Sequence, residues 1–191
     1  LRQGYQYLYD RLGHLLSAKF YHSDTLRFTG ITDSLGRKQK QWKYFYDDGK
    51  PYAIGNYSND RETGKWLYFY KDSVLEQEGN YIAGKPDGEW IWYFENKKMR
   101  RREHYVNGKR EGEYLEYEPD GYVTNEGSYR DGVRHGKWYY YAGDQAEVGK
   151  YKNGKKHGQW KYYKYEVDDE ALYFEGSFYE GEADGIWKIY D

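Results

Sequence analysis

Gly127-Ser128-Tyr129-Arg130-Asp131-Gly132-Val133-Arg134-His135-Gly136-Lys137-Trp138-Tyr139-Tyr140-Tyr141 is a sentence that the chain writes several times over. An aromatic residue leads into a turn with two glycines four apart, and Trp138 follows Tyr129 by nine residues. That pattern is one strand, a tight turn and a second strand. The same gap of nine joins Tyr57 to Trp66, Tyr81 to Trp90, Tyr105 to Tyr114, Tyr151 to Trp160 and Phe178 to Trp187. Glycine pairs stand between them at Gly84/Gly88, Gly108/Gly112, Gly132/Gly136, Gly154/Gly158 and Gly181/Gly185, with Asp60/Gly64 the one departure.

Working outward, the anchors Trp42, Trp66, Trp90, Tyr114, Trp138, Trp160 and Trp187 follow one another at spacings of 24, 24, 24, 24, 22 and 27 residues. A fixed period of this size marks a repeat architecture. Length varies only in the turn that joins one unit to the next, which reads Asp47-Asp48-Gly49 or Asp120-Gly121 and swells at 164–172. Asp-Gly and Asn-Gly steps tolerate positive φ and bond back to their own backbone, so they form such turns. Aromatic runs such as Trp66-Leu67-Tyr68-Phe69-Tyr70 have strand length, and no apolar stripe of period 3.6 occurs. The expected fold is therefore all-β: an elongated, twisted antiparallel sheet of tandem β-hairpins, about fourteen strands spanning about 65–70 Å.

Residues 1–41 fit less well. Gly4–Asp10 echoes Gln41–Asp47 and Gly13–Asp24 tracks Gly49–Asp60, but 25–40 break register, with Asp33 where the aromatic partner of Trp42 belongs. We read 1–41 as a divergent N-terminal cap repeat with an insertion and 42–191 as about six regular units of the same domain, since terminal repeats are atypical.

Composition narrows the function. Aromatics make up 21% of the 191 residues, 27 of them Tyr, against 32% charged residues and a mean hydropathy of −1.24. Such a chain buries surface through Tyr and Trp rings, and its aromatic content is unlike that of disordered chains. A net charge of −2 with both signs interspersed excludes the cationic stripe of a nucleic-acid binder. Without cysteine there are no disulfides or thiolate metal sites. No run approaches the roughly 18 apolar residues of a membrane helix. Leu at position 1 reads as a processed chain, which favours a mature bacterial envelope or secreted protein over a cytoplasmic one.

Strand parity singles out a surface. The anchor and the residue two beyond it (Tyr44, Tyr68, Trp92, Tyr140, Tyr162) share one face, whereas the third residue points to the other. That third position is always aromatic. Its members Phe69, Tyr93, Tyr117, Tyr141 and Tyr163 form the candidate binding row, a wet aromatic face unless Lys and Arg stems cover it. The last segment, Trp187–Asp191, ends on one strand of a unit and reads as an edge open to strand addition.

Units such as Gly149-Lys150-Tyr151-Lys152-Asn153-Gly154-Lys155-Lys156-His157-Gly158-Gln159-Trp160-Lys161-Tyr162-Tyr163 resemble the MORN repeat variant of YwqK-type proteins, often labelled toxin–antitoxin antitoxins. The resemblance covers about residues 42–191. It implies an elongated antiparallel sheet used as a scaffold or binding platform, phosphoinositide contact in some members, and no catalytic residue. The units also resemble, less closely, the repeats of choline-binding and glucan-binding cell-wall proteins.

Other motifs reduce to the repeat. Gly149–Lys155 and Gly79–Lys85 spell the core of a phosphate loop, but Lys156 stands where Ser or Thr should hold magnesium and no helix follows. His135 and His157 take matching turn positions with no third ligand, so no metal site is expected. Glu166-Val167-Asp168-Asp169-Glu170 lacks the spacing of a calcium loop and reads as a solvated insertion. In the basic run 97–102, Lys98, Arg100 and Arg102 are the candidate anion or acidic-partner patch, and Tyr105 opposite Tyr114 would set Arg101 against Glu118. No catalytic set can be assembled and no cofactor is expected. The expectation is a non-catalytic scaffold with protein partners, working through the aromatic face and exposed edges. A carbohydrate or cell-wall module stacking sugars on Tyr and Trp is the alternative, and membrane-surface contact is disfavoured by the weak charge.

Overall fold

The two-residue turns set the architecture. Asn153 and Gly154 both adopt positive φ, 54° and 80°, the geometry of the hairpin turn whose twist matches that of its strands. Ala83-Gly84, Asn107-Gly108, Asp131-Gly132 and Glu180-Gly181 repeat it. Asn59-Asp60, the departure from the glycine pattern, adopts the same turn with φ of 50° and 65°, because Asn and Asp tolerate this region better than other side chains.

The computed structural model describes residues 1–166 and 169–190. They contain sixteen strands and no helix, arranged antiparallel in chain order with no crossover. The chain divides into two compact units, residues 1–97 and 98–191. The first holds β1 (Gly4–Tyr9), β2 (Leu15–His22), β3 (Thr25–Thr32), β4 (Lys38–Phe45), β5 (Pro51–Ser58), β6 (Arg61–Phe69), β7 (Leu75–Ile82) and β8 (Lys85–Tyr93). The second holds β9 (Met99–Val106), β10 (Lys109–Tyr117), β11 (Val123–Arg130), β12 (Val133–Ala142), β13 (Gln145–Lys152), β14 (Lys155–Glu166), β15 (Asp169–Tyr179) and β16 (Glu182–Ile189).

Residues 1–41 build hairpins like the rest, and so the strands number sixteen rather than about fourteen. Across 25–40 the difference is a longer turn: Thr32 pairs with Lys38 and five residues close the bend. Gly4 pairs with Tyr21 as Lys40 pairs with Tyr57. Gly4 therefore takes the place of Lys40, one position away from its sequence echo, and Tyr5, Tyr7 and Tyr9 fall on positions other than the anchor's. The swollen turn at 164–172 is largely strand, since Tyr165 pairs with Glu170 and Glu166 with Asp169. Val167 and Asp168, the centre of the acidic segment, lie outside the described residues.

Inside each hairpin a bulge changes the register. In β5–β6, Ile54 pairs with Leu67 but Asn56 with Thr63, so Gly64, Lys65 and Trp66 stand against Gly55 alone. Tyr57 thus faces Glu62 rather than Trp66, and the two rings meet edge to face at 5.2 Å and 89°. The bulge carries the indole back over the preceding strand. A Cβ on Gly55 would lie 2.0 Å from the Trp66 ring, and Trp66 Nε1 donates to the Asn56 carbonyl at 3.2 Å.

The same seat recurs with Gly79 under Trp90, Gly127 under Trp138, Gly149 under Trp160 and Gly176 under Trp187, always eleven residues apart. With Gly30 under Trp42 the separation is twelve, which counts the extra residue of that turn. In five of the six pairs the indole also bonds a carbonyl of the strand beneath it; Trp187 sits without that bond. Trp42, Trp66, Trp90, Trp138 and Trp160 are consequently buried. In the first unit Trp42, Ala53, Tyr57 and Trp66 form one core cluster, and in the second Tyr114, Trp138, Tyr151 and Trp160 form another. Both lie on the anchor face of the sheet.

Candidate functional site

The anchor face is a ladder of rings. Trp66 stacks on Tyr68 at 5.9 Å, Trp138 on Tyr140 at 5.6 Å, and Tyr140 on Trp160 at 6.4 Å. The hydroxyls pair in turn: Tyr44 with Tyr57 at 3.0 Å and Tyr140 with Tyr151 at 3.2 Å. Burial first, then these bonds, hold the hydroxyls of Tyr57, Tyr68 and Tyr140 protonated well above the ordinary phenol range.

Cations cover this face. In four units the residue four before the anchor lays a positive charge over the rings: Lys38 Nζ lies 4.9 Å from the Trp42 ring and 4.8 Å from that of Tyr57. Arg134 Cζ lies 5.1 Å from Trp138, and Lys156 Nζ 3.9 Å from Trp160. Ring faces carry negative charge density and attract such groups. Lys156 also pairs with Glu147 at 3.0 Å. Burial opposes its charge, but Glu147 and the Tyr162 hydroxyl together hold its pKa above the ordinary lysine value. In these units Lys and Arg thus cover the anchor row.

The opposite face carries the row singled out in the sequence. Phe69 and Tyr93 in the first unit, and Tyr117, Tyr141 and Tyr163 in the second, are each half-buried. They alternate along the strands with Leu67, Ile91, Leu115 and Tyr139, also half-buried. Tyr93 donates to Glu78 Oε1 at 2.7 Å, and burial together with that carboxylate pushes its pKa up to about 12. Tyr139 and Tyr141 present parallel rings 6.5 Å apart, with Lys137 Nζ 4.5 Å from the first.

The basic run is rearranged relative to expectation. The bulge between Arg110 and Tyr114 shifts the β9–β10 register, so Arg101 faces Glu116, not Glu118, and Tyr105 faces Arg110, not Tyr114. Lys98 donates to the Asp120 carbonyl at 2.8 Å, Arg102 pairs with Glu113, and Arg100 is exposed. Arg101 turns to Glu103, which sequence reasoning passed over. Glu103 is 1% exposed, with Arg101 Nε at 2.9 Å, Arg110 Nε at 2.6 Å and the Tyr105 hydroxyl at 2.8 Å. A buried carboxylate survives only with such partners.

The remaining motifs resolve simply. Gly149–Lys155 runs from β13 through the Asn153-Gly154 turn into β14, a hairpin and not a phosphate loop. His157 packs against Tyr179 at 5.7 Å, and Ser128 Oγ donates to the backbone carbonyl of His135. No group of three or more His, Cys, Asp or Glu among the described residues could hold a metal ion.

Hairpins that repeat one glycine seat, one indole and one pair of aromatic rows define a β-repeat protein. The family model described as MORN repeat variant matches residues 38–59, 62–83 and 86–107, three consecutive repeats of this chain. No curated protein matches the sequence. Among solved structures, a chain of "Crystal structure of GtfA/B complex bound to UDP and GlcNAc" is similar over 59% of this chain, at 11% identity and a TM-score of 0.26. This chain spans 22% of that one.

Proposed function

We propose that the protein is a non-catalytic repeat scaffold that binds protein partners on the sheet face opposite the tryptophans. One observation carries this reading: the same half-buried aromatic position recurs unit after unit, at Phe69 and Tyr93 and again at Tyr117, Tyr141 and Tyr163. Half-buried Tyr offers a rigid apolar ring at low entropic cost together with a hydroxyl, the combination favoured at protein interfaces. Affinity capture from native extract, followed by reconstitution with the purified partner, tests it. The reading expects Tyr117→Ala with Tyr141→Ala to lower affinity for that partner at least tenfold; unchanged affinity contradicts it.

Sugar binding is the second reading, favoured by a hollow of about 350 Å³ walled by Tyr140, Tyr162 and Tyr173 with Gln145 and Glu147 at its rim. Flat rings beside polar groups suit a sugar's apolar face and hydroxyls. A glycan array without signal would remove it.

A further inference from the structure

The place four residues before the anchor is Lys38, Arg110, Arg134 or Lys156 in four units, and Pro86 or Ala183 in two others. In the unit of Trp66 it is Glu62. The backbone geometry is common to them: Glu62 pairs with Tyr57 as Arg134 pairs with Tyr129 and Lys156 with Tyr151. So are the walls. Arg134 lies over Trp138, Tyr140 and Tyr151, Lys156 over Trp160, Tyr162 and Phe178, and Lys38 over Trp42, Tyr44 and Tyr57.

The three rings at the matching places of this unit are Trp66, Tyr68 and Tyr81, with Tyr68 5.9 Å and Tyr81 6.0 Å from the indole. Tyr68 and Tyr81 are half-buried, and their hydroxyls stand 3.4 Å apart. In the other units the cation also bonds this hydroxyl pair, Lys38 Nζ to Tyr44 at 2.9 Å and Arg134 to Tyr151 at 3.2 Å.

Here a carboxylate stands where the chain elsewhere puts a cation. Among the described residues Glu62 makes no ion pair, and its carboxylate takes a hydrogen bond from the Tyr57 hydroxyl. Its negative charge adds to that of the ring faces, and both favour a positive guest. We propose that Glu62, Trp66, Tyr68 and Tyr81 form a receptor for a basic side chain of a partner protein. The guest's guanidinium or ammonium group stacks on the rings and pairs with Glu62. The proposal rests on the scaffold reading and adds to it a second contact, on the tryptophan face, and the chain's own Lys38, Arg134 and Lys156 show how the guest lies.

The test uses the full chain and fluorescein-labelled octa-arginine, read by anisotropy at about 0.15 M salt, where exposed charges more than a Debye length apart are largely screened. Glu62→Arg supplies the cation from within, as Arg134 does, and is expected to raise Kd at least tenfold. Glu182→Arg makes the same charge change at an exposed site and is expected to leave Kd within twofold. Glu62→Arg is also expected to keep or raise Tm, because that residue type already fits this place elsewhere in the chain. Equal losses in both variants, no binding to the wild type, or a lowered Tm for Glu62→Arg would overturn the proposal. So would displacement by choline at a lower concentration than by arginine methyl ester, which would make the site one for quaternary ammonium. Since Tyr117 and Tyr141 belong to the other compact unit, failure here with partner binding still sensitive to them would sink this inference alone.

Discussion

Two hairpins of the second unit solve one packing problem in opposite ways. In β13–β14 a glycine, Gly149, lies bare under the Trp160 indole, and the seat is dry. In β9–β10 the glycine's place is taken by Glu103 and the indole's by Tyr114, eleven residues later as before. The carboxylate fills the space that the larger ring would need; two arginines pair with it and the Tyr105 hydroxyl donates to it. The pair of changes belongs together. The lesson is that the repeating element is the matched pair of seat and ring, and Trp alone is only half of it.

The largest effect is expected from spoiling the dry seat. Gly149→Ala sets a Cβ 2.1 Å from a rigid ring, and overpacking of that kind should cost about 3 kcal/mol in urea unfolding. The glycine of the bulge is a useful contrast: Gly158 has φ of 70° and open space around it, so Gly158→Ala should cost only about 1 kcal/mol of backbone strain. Equal costs would mean that the ring does not need its seat.

Removing the charged solution should cost less. Glu103→Ala leaves two arginines that still reach water, and a loss of about 2 kcal/mol is expected. Smaller again is Tyr140→Phe, which deletes the hydroxyl bond from Tyr140 to Tyr151 of β13, for about 1 kcal/mol.

The pH dependence sharpens the same contrast. Tyr57, Tyr68 and Tyr140 have pKa values above the ordinary 10.0 in the folded state, through burial first and hydroxyl bonding second. Their contribution to stability is fully present below about pH 10 and is lost above it, because the unfolded chain releases those protons first. Unfolding followed at pH 8, 9.5 and 11 should show a plateau and then a fall, with tyrosinate absorbance appearing together with unfolding. Early titration of these residues in the folded protein would contradict the buried ladder.

Much of this was legible. The gap of nine, the turn dipeptides and the alternation of Trp66, Tyr68 and Phe69 fixed hairpins, strand direction and two aromatic faces. The bulge was not, because nothing in residue type shows that Trp66 lies back over Gly55 instead of facing Tyr57. For that reason Arg101 was set against Glu118. Gly127 gives no signal of its own in the sequence, since it acts through its missing side chain under Trp138 and not through a turn. Glu103 had a signal in the sequence: the one non-Trp anchor coincides with the one missing glycine. Parity sets Phe69 and Tyr117 on the face away from the tryptophans, but their half-burial depends on neighbours that parity does not specify.

The most direct test is a double-mutant cycle on the exceptional hairpin, measured by urea unfolding. Tyr114→Trp alone should destabilise, because Glu103 occupies the seat, and Glu103→Gly alone should destabilise, because it leaves a void and strips two arginines of their partner. Together they should recreate the pair of Gly149 and Trp160, recovering at least about 1.5 kcal/mol relative to the sum of the single changes. Strict additivity would contradict the claim that seat and ring form one unit.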